Sequence, residues 1–317
     1  MRGILLLAIR IGVSATLLYI ALSGIDFASL KLRLGQIDAA WLFAGLTATL
    51  LQAFIAALRW RIISTSCNAP LGVGQSFRYN LIGIFFNQTL PSTIGGDAVR
   101  ALLVKQTGVG WRAATYSVFV DRAIGLIFLA CIIAASLRWS FQLIGDQKGQ
   151  LTLILVDLAA ICAGAGFLIL GRLPWSWLKT WWLTHHFHAC SRIANDLLFN
   201  YRTGIPIAAL SMGVHILTVV ICWCAVRAIA APASVDQVFL IIPPIMLITM
   251  LPISIAGWGV REATMMVAFQ YAGLVQADGT LVSLLFGGAS FVIGIVGGLV
   301  WVLSRPNISA PKPVLPG

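Results

Sequence analysis

The chain has 317 residues, of which 59% are hydrophobic and only 10% are charged. A soluble domain of this length carries about 25% charged residues, so the composition excludes a water-soluble fold. The net charge of +11 does not indicate a nucleic-acid-binding protein, because the Lys and Arg residues lie between apolar stretches and form no single basic patch. Basic loops between apolar spans are typical of membrane proteins. We therefore expect an all-α polytopic membrane protein.

Apolar stretches long enough to cross the roughly 30 Å of bilayer hydrocarbon predict six transmembrane helices. In chain order these cover about residues 4–24, 41–58, 113–137, 151–171, 205–226 and 279–303. No small-residue cleavage site follows the first stretch, so we expect a retained span and not a signal peptide. Residues 304–317 are expected to be a C-terminal tail. The six cysteines have no metal-binding spacing and are expected to be small buried side chains.

Two further apolar segments, 79–106 and 238–274, contain Pro and Gly where a spanning helix would continue. When Leu90–Arg100 is aligned with Leu251–Arg261, six of eleven positions are identical, and Pro, Gly and Arg are among them. This similarity predicts an internal duplication. We interpret both segments as re-entrant hairpins, each of which enters and leaves the bilayer by the same face.

The distribution of basic residues predicts the orientation. With both hairpins re-entrant, fourteen of the 21 Lys and Arg residues lie on the cytoplasmic side, together with both termini. A topology in which both segments cross fully also leaves both termini inside and stays open. In the re-entrant topology, residues 1–150 and 151–303 form two half-repeats of opposite orientation. Such an inverted repeat recurs in secondary transporters.

Residues 172–203, between the halves, are too polar to span. Their Trp and basic residues predict an amphipathic helix at the headgroup level. His185, His186 and His188 lie in this stretch. Because no carboxylate and only one thiol, Cys190, lies close by, we expect solvated histidines and no metal site.

Three acidic residues at predicted membrane depth have an Arg beside or near them. The pairs are Asp97 with Arg100, Asp121 with Arg122, and Glu262 with Arg261. A charge at the centre of a bilayer helix costs about 2.5–3.5 kcal/mol, so these groups should face one another, backbone groups or a wet cavity. One interpretation is that they only neutralise each other and fix the hairpins to the bundle. The other, which the duplicated placement favours, is a substrate or ion path.

The Pro and Gly residues of the hairpins predict how each chain reversal is built. Pro91 and Pro252 are expected to end the inbound helices. Gly95-Gly96 and the glycines at 257 and 259 are expected to form tight reversals.

The outbound helices should then begin deep in the membrane, near Asp97 and Val260, with Asp97 as an N-cap residue. Each would point its positive dipole end and free N–H groups inward, which suits an anion. Arg100 and Arg261 fall in the first turns and add positive charge. We expect both hairpin tips to meet at one cavity that binds a phosphate or carboxylate.

Common enzyme motifs are missing from the sequence. It contains no Gly-Lys pair for a P-loop, and no HExxH or GxSxG motif. We expect no enzyme activity, no cofactor and no metal. Transport would be driven by a gradient or run downhill.

The two motifs resemble the signature of a known family, the flippase-like transmembrane domain of lysylphosphatidylglycerol synthases. The resemblance lies in the run Asn87…Leu90-Pro91…Gly95-Gly96-Asp97…Arg100 with Asp121-Arg122…Gly125, and in Leu251-Pro252…Gly257…Gly259-Val260-Arg261-Glu262. It covers roughly residues 5–303. Few residues follow position 303, so we expect the soluble aminoacyl-transferase domain of the full synthases to be absent.

The resemblance implies translocation of a lipid between leaflets, with the polar residues of both motifs in the pathway. Carried over by position, the site residues are Asn87, Pro91, Gly95, Gly96, Asp97, Arg100, Asp121, Arg122, Gly257, Gly259, Arg261 and Glu262.

We therefore expect a flippase-like transporter in the bacterial plasma membrane that moves a lipid with an anionic or polyol headgroup. Two alternatives stay open: a non-catalytic partner of a lipid-modifying or glycosyl-transferring enzyme, and a small-anion secondary transporter. Membrane lipid is the expected partner, a lipid-modifying enzyme is a second candidate, and nucleic acid is not expected.

Overall fold

The computed structural model of the protein describes residues 37–90, 94–174, 182–250 and 258–304. Every regular element in these ranges is an α-helix, as predicted. The helices are α1 Ala39–Ser66, α2 Val73–Thr89, α3 Gly95–Lys105, α4 Trp111–Leu143, α5 Gln147–Arg172, α6 Trp182–Phe199, α7 Tyr201–Ala228, α8 Val235–Thr249, α9 Val260–Tyr271 and α10 Gln276–Leu303.

Five of these helices, α1, α4, α5, α7 and α10, are long and apolar enough to cross a membrane. Each contains one of the last five predicted spans; the first predicted span, 4–24, lies outside the described residues. The helices extend beyond the predicted spans. With 33 residues, α4 is about 50 Å long at 1.5 Å per residue. α1 continues from the predicted end at 58 to Ser66, so Arg59 lies inside the helix.

The first interrupted segment forms an antiparallel pair of helices, α2 and α3. A Cβ atom on Gly96 would collide with the backbone oxygen of Gly83 and the side chain of Asn87, and one on Gly83 would lie 2.9 Å from the Arg100 side chain. Residue numbers rise along α3, from Gly96 to Arg100, while those of the residues contacted on α2 fall, from Asn87 to Gly83. The two helices are therefore antiparallel. Glycine at both positions lets the backbones approach this closely. The reversal, which includes Pro91, lies outside the described residues.

The second interrupted segment forms the helix pair α8 and α9. Ile241 and Ile245 of α8 belong to the same buried apolar cluster as Met265 and Phe269 of α9. The connecting residues 251–257 lie outside the described residues. The apolar cluster fixes the two helices to each other and to α7 and α10.

The shorter helix α6 lies within the predicted interfacial stretch 172–203. Its buried face packs on α5, where Asn195 Nδ2 donates to the backbone oxygen of Leu168 at 2.8 Å. Its other face exposes Trp182 and Leu183. One buried and one exposed face is the arrangement that an amphipathic sequence favours.

Two of the three histidines of α6 form hydrogen bonds with nearby groups of the protein, so the expectation of solvated side chains was wrong for them. His186 forms a hydrogen bond with the Tyr116 hydroxyl, and His188 Nε2 donates to the backbone oxygen of Leu173 at 3.3 Å. Across the four described ranges, no group of three or more His, Cys, Asp and Glu side chains is placed to hold a metal ion.

Glycines of α10 bring that helix into close contact with α2. Gly297 lies against the backbone oxygen of Leu81, and a Cβ atom on Gly298 would lie 2.9 Å from the ring of Phe85. Small residues at such positions are the usual means of close helix packing in membranes, because the hydrophobic effect does not drive helices together within a bilayer. The contact joins the first hairpin to the last helix of the chain.

The helix contacts occur in matched pairs when α1–α4 are compared with α7–α10. α2 contacts α10 and α8 contacts α4; α3 contacts α4 and α9 contacts α10; α1 contacts α2 and α7 contacts α8. The remaining matched helices, α1 and α7, pack directly on each other. The two sets of four helices therefore make equivalent contacts.

Candidate functional site

The site begins at the first turn of α3. The helix starts at Gly95, so Gly95 and Gly96 lie in its first turn and do not form the tight reversal that was predicted. Its N-cap residue Ile94 makes no side-chain capping bond. Asp97 lies inside the first turn, where its carboxylate pairs with arginines, so the prediction of Asp97 as N-cap residue was wrong. The N–H of Gly96, which was expected to be free for an anion, donates to Asn87 Oδ1 at 2.9 Å.

Five charged side chains from α1, α3 and α4 form a continuous series of ion pairs, here called the ion-pair chain. Asp121 joins two arginines: its Oδ1 lies 2.9 Å from Arg59 Nε, and its Oδ2 lies 3.1 Å from Arg100 Nη2. Asp97 joins Arg100 to Arg122: its Oδ1 lies 3.3 Å from Arg100 Nη1, and its Oδ2 lies 2.6 Å from Arg122 Nε. The order is Arg59, Asp121, Arg100, Asp97, Arg122.

One end of the ion-pair chain is accessible. The Arg122 side chain is 36% exposed, whereas the other four side chains are at most 11% exposed. Three arginines and two aspartates leave the ion-pair chain with a formal excess of one positive charge. Because of its exposure, Arg122 is the member of the ion-pair chain that a ligand can reach.

The central arginine is held by an aromatic ring as well as by carboxylates. Arg100 Cζ lies 3.9 Å from the centroid of the Trp60 ring, and Trp60 is fully buried. The Nε of Arg100 is buried without a hydrogen-bond partner. A desolvated cation over an indole ring gains about 2 kcal/mol. This gain offsets part of the free energy lost by leaving the buried Nε without a hydrogen bond.

Arg59 is a member of the site that the sequence analysis missed. It was counted as a loop residue, because the predicted span ended at 58. Its Nη1 donates to Ser211 Oγ of α7 at 3.3 Å. Nearby on α7, His215 Nε2 donates to the backbone oxygen of Gly125 in α4 at 3.0 Å. Arg59, like Arg122, is followed by further apolar, helix-forming residues. This feature of the sequence could have placed Arg59 inside the helix.

The second motif forms a smaller cluster at the start of α9, which begins at Val260 as predicted. Glu262 accepts the N–H of Gly259 at 2.6 Å, and Gly259 has a φ of 85°, which favours glycine. Arg261 Nη2 lies 3.0 Å from Glu262 Oε1, and Arg261 Nε donates to Ser283 Oγ at 2.9 Å. The Gly259 N–H at the start of α9, which was expected to be free for an anion, therefore already donates to Glu262.

The structure brings Asp97, Arg100, Asp121 and Arg122 together and places Arg261 with Glu262 in the second cluster. The two hairpins touch where Trp258 Nε1 donates to Gln88 Oε1 at 3.4 Å.

The predicted meeting of both tips at one cavity concerns residues 91–93 and 251–257. Pro91 and Gly257 of the predicted site are among them. These residues lie outside the described ranges, and the shared cavity stays a prediction.

The accessible end of the ion-pair chain lies in the wall of a cavity of about 730 Å³. Asp97 and Arg122 are the charged members of its described lining, which is otherwise mostly apolar. Phe119, Leu126 and Met250 also line a neighbouring cavity of about 540 Å³, here called the apolar groove, between α4, α5 and the end of α8. A charged site therefore opens directly onto an apolar surface.

The fold and the site define a polytopic α-helical membrane protein with a buried charged cluster beside an apolar groove. Residues 7–298 match the family model of the lysylphosphatidylglycerol synthase transmembrane region. The chain belongs to this family, which confirms the resemblance seen in its two motifs and associates the protein with membrane lipids. A comparison with curated proteins found no match.

Proposed function

We propose that this protein moves a lipid with an anionic or polyol headgroup between the two leaflets of the membrane. The observation that carries the proposal is the union of polar and apolar parts in one site: Asp97 and Arg122 line a cavity that shares a wall with the apolar groove. A headgroup can bind at the charged end while its acyl chains remain in apolar surroundings. A small-anion path has no need for such a groove.

The charged end suits both headgroup classes. The Arg122 guanidinium presents five N–H donors, of which the Nε–H is directed to Asp97. The planar, forked geometry of an arginine is well matched to phosphate oxygens. The Asp97 carboxylate can accept hydrogen bonds from the hydroxyl groups of a polyol.

The proposal includes an inverted repeat of two half-repeats, 1–150 and 151–303, with six spans and two re-entrant hairpins. The matched helix contacts support this arrangement, and so does the antiparallel packing of α2 and α3. Two half-repeats of opposite orientation would let the site open alternately to each face of the membrane.

The re-entrant topology predicts that both ends of the first hairpin are cytoplasmic. Single cysteines replacing Gly74 and Gln106, both exposed, should therefore react with a membrane-impermeant maleimide from the cytoplasmic side only. Gly74 suits this purpose because a Cβ atom there meets no neighbour. Labelling is measured in intact cells and in inverted vesicles, with the exposed Cys131 and Cys162 replaced by Ser.

Gly145, between α4 and α5, provides the matched control. A Cβ atom there also meets no neighbour, and the topology places that loop outside, so Gly145→Cys should label in intact cells. Labelling of positions 74 and 106 from opposite faces would mean that the hairpin crosses fully, and the inverted repeat would be lost.

We place the protein in the bacterial plasma membrane with both termini in the cytoplasm, and we assign it no catalytic step. Lipid movement would follow a gradient of the lipid or of a coupled ion. A lipid-modifying enzyme that supplies or consumes the lipid is the proposed protein partner.

Reconstitution tests the function directly. Purified protein in phosphatidylcholine liposomes with a trace of fluorescent phosphatidylglycerol should expose inner-leaflet label to an external quencher over time, which protein-free liposomes should not do. If the label stays protected while entrapped phosphate leaks, the small-anion alternative replaces the proposal. If neither moves, the scaffold alternative replaces it.

A further inference from the structure

A carboxyl group lies in the middle of α5, outside both charged clusters. Asp157 is the eleventh residue of this helix, about 15 Å from its start at 1.5 Å per residue, and the helix is long enough to cross a membrane. Its residue exposure is 3%, and its Oδ1 is buried without a hydrogen-bond partner. Within the described ranges, no ion pair neutralises it.

Among the residues that the structure describes, the surroundings of Asp157 supply no positive charge. The neighbouring turns hold Leu153, Val156 and Ala160, which belong to an apolar cluster shared with α4 and α8. On α4, the thiol of Cys131 lies near Asp157.

Two more of the described helices, α6 and α8, pack on α5. α6 contacts the far end of α5, at Phe167 and Leu168. On α8, Asp236 is exposed in the first turn.

An ionised carboxylate in such a place is strongly disfavoured. Transfer of an isolated charge to an apolar environment costs so much that the group takes up a proton instead. Intramembrane acids without a structural partner are expected to be functional, as in the proton relays of transporters. A structural role does not account for Asp157, because its buried Oδ1 holds no neighbour in place among the described residues.

We propose that Asp157 is a proton-binding site, and that proton uptake and release there couple lipid movement to the pH gradient. The proton comes from water on one face and returns to water on the other. Val156 and Ala160, beside Asp157, line the apolar groove, so a lipid chain in the groove contacts the helix that carries the acid. The coupling rests on the proposed function, whereas the proton site stands independently of it.

The proton site is tested by infrared difference spectroscopy of the full-length protein in liposomes. At neutral pH the wild type should show the carbonyl stretch of a protonated carboxylic acid, and Asp157→Asn should lose it. Asp196→Asn, at an exposed position of α6, should keep it. An unchanged band in Asp157→Asn overturns the proton site. If Asp157→Asn does not fold, Asp157→Glu should retain a band at a shifted frequency, and an unshifted band overturns the site.

The coupling is tested with fluorescent phosphatidylglycerol under an imposed gradient of one pH unit. One proton moved with each lipid can drive a leaflet ratio of up to about tenfold. The wild type should build up such a ratio, and Asp157→Asn should equilibrate the lipid without accumulating it. Equal accumulation by both proteins, or no effect of the gradient on the wild type, overturns the coupling. A wild type that moves no lipid at all removes the proposed function, and the infrared result still decides the proton site.

Discussion

Asp121→Asn should lower the free energy of unfolding by about 3–5 kcal/mol, because it leaves two buried arginines without their shared carboxylate. Asp121 lies between Arg59 at 2.9 Å and Arg100 at 3.1 Å, and both arginine side chains are 8% exposed. Asn keeps the shape of the side chain, so the loss reports the charge and not a cavity. Denaturation of detergent-solubilised protein by increasing fractions of SDS measures the change.

Asp196→Asn is the control, because this carboxylate is exposed on α6 and its loss should change stability by no more than about 0.5 kcal/mol. Adding Arg59→Gln to Asp121→Asn should restore part of the lost stability, since it removes one of the stranded charges. Such coupling is expected only for residues in direct contact. Strictly additive effects would contradict the pairing of Arg59 with Asp121.

The spans were predictable because hydropathy is a local property of the chain. Each of the five membrane-crossing helices contains an uninterrupted apolar window. Their ends were less predictable, since a helix continues as long as its polar side chains find partners. α1 runs past Arg59 because the guanidinium pairs with Asp121 of a helix that follows 62 residues later in sequence.

The pairing of charges was only partly predictable. Asp97, Arg100, Asp121 and Arg122 were expected near each other, and the ion-pair chain holds all four. The expected N-cap role of Asp97 was wrong because its carboxylate is bonded to Arg100 and Arg122 instead. Bonds to a charged donor are the stronger ones.

The duplicated motifs differ in chemistry despite their matching positions. In the alignment that matches Arg100 with Arg261, Asp121 corresponds to Val282, so the second half has no carboxylate at that place. Arg261 pairs instead with Glu262. The second cluster is therefore formally neutral, whereas the ion-pair chain keeps a positive excess. The accessible position of Arg122 favours the first half for the proposed headgroup site.

Arg122→Gln should slow the movement of an anionic lipid by about one to two orders of magnitude while leaving the protein folded. Arg122 is the accessible end of the ion-pair chain and lines the cavity, so it is the arginine that a headgroup can reach. A hydrogen bond to a charged group is worth about 1.5–3 kcal/mol, and each 1.4 kcal/mol is about tenfold in rate. The quenching assay with fluorescent phosphatidylglycerol measures the rate.

Two comparisons separate a role in binding from a general loss of structure. Arg138→Gln removes an exposed arginine from the same helix and should leave the rate unchanged. Arg122→Lys keeps the charge but loses the forked donor geometry, so its rate should lie between those of the wild type and Arg122→Gln. If Arg122→Gln moves phosphatidylglycerol as fast as the wild type, the headgroup does not bind at this end of the ion-pair chain. The cluster would then serve only to hold α1, α3 and α4 together, the interpretation that the sequence alone left open.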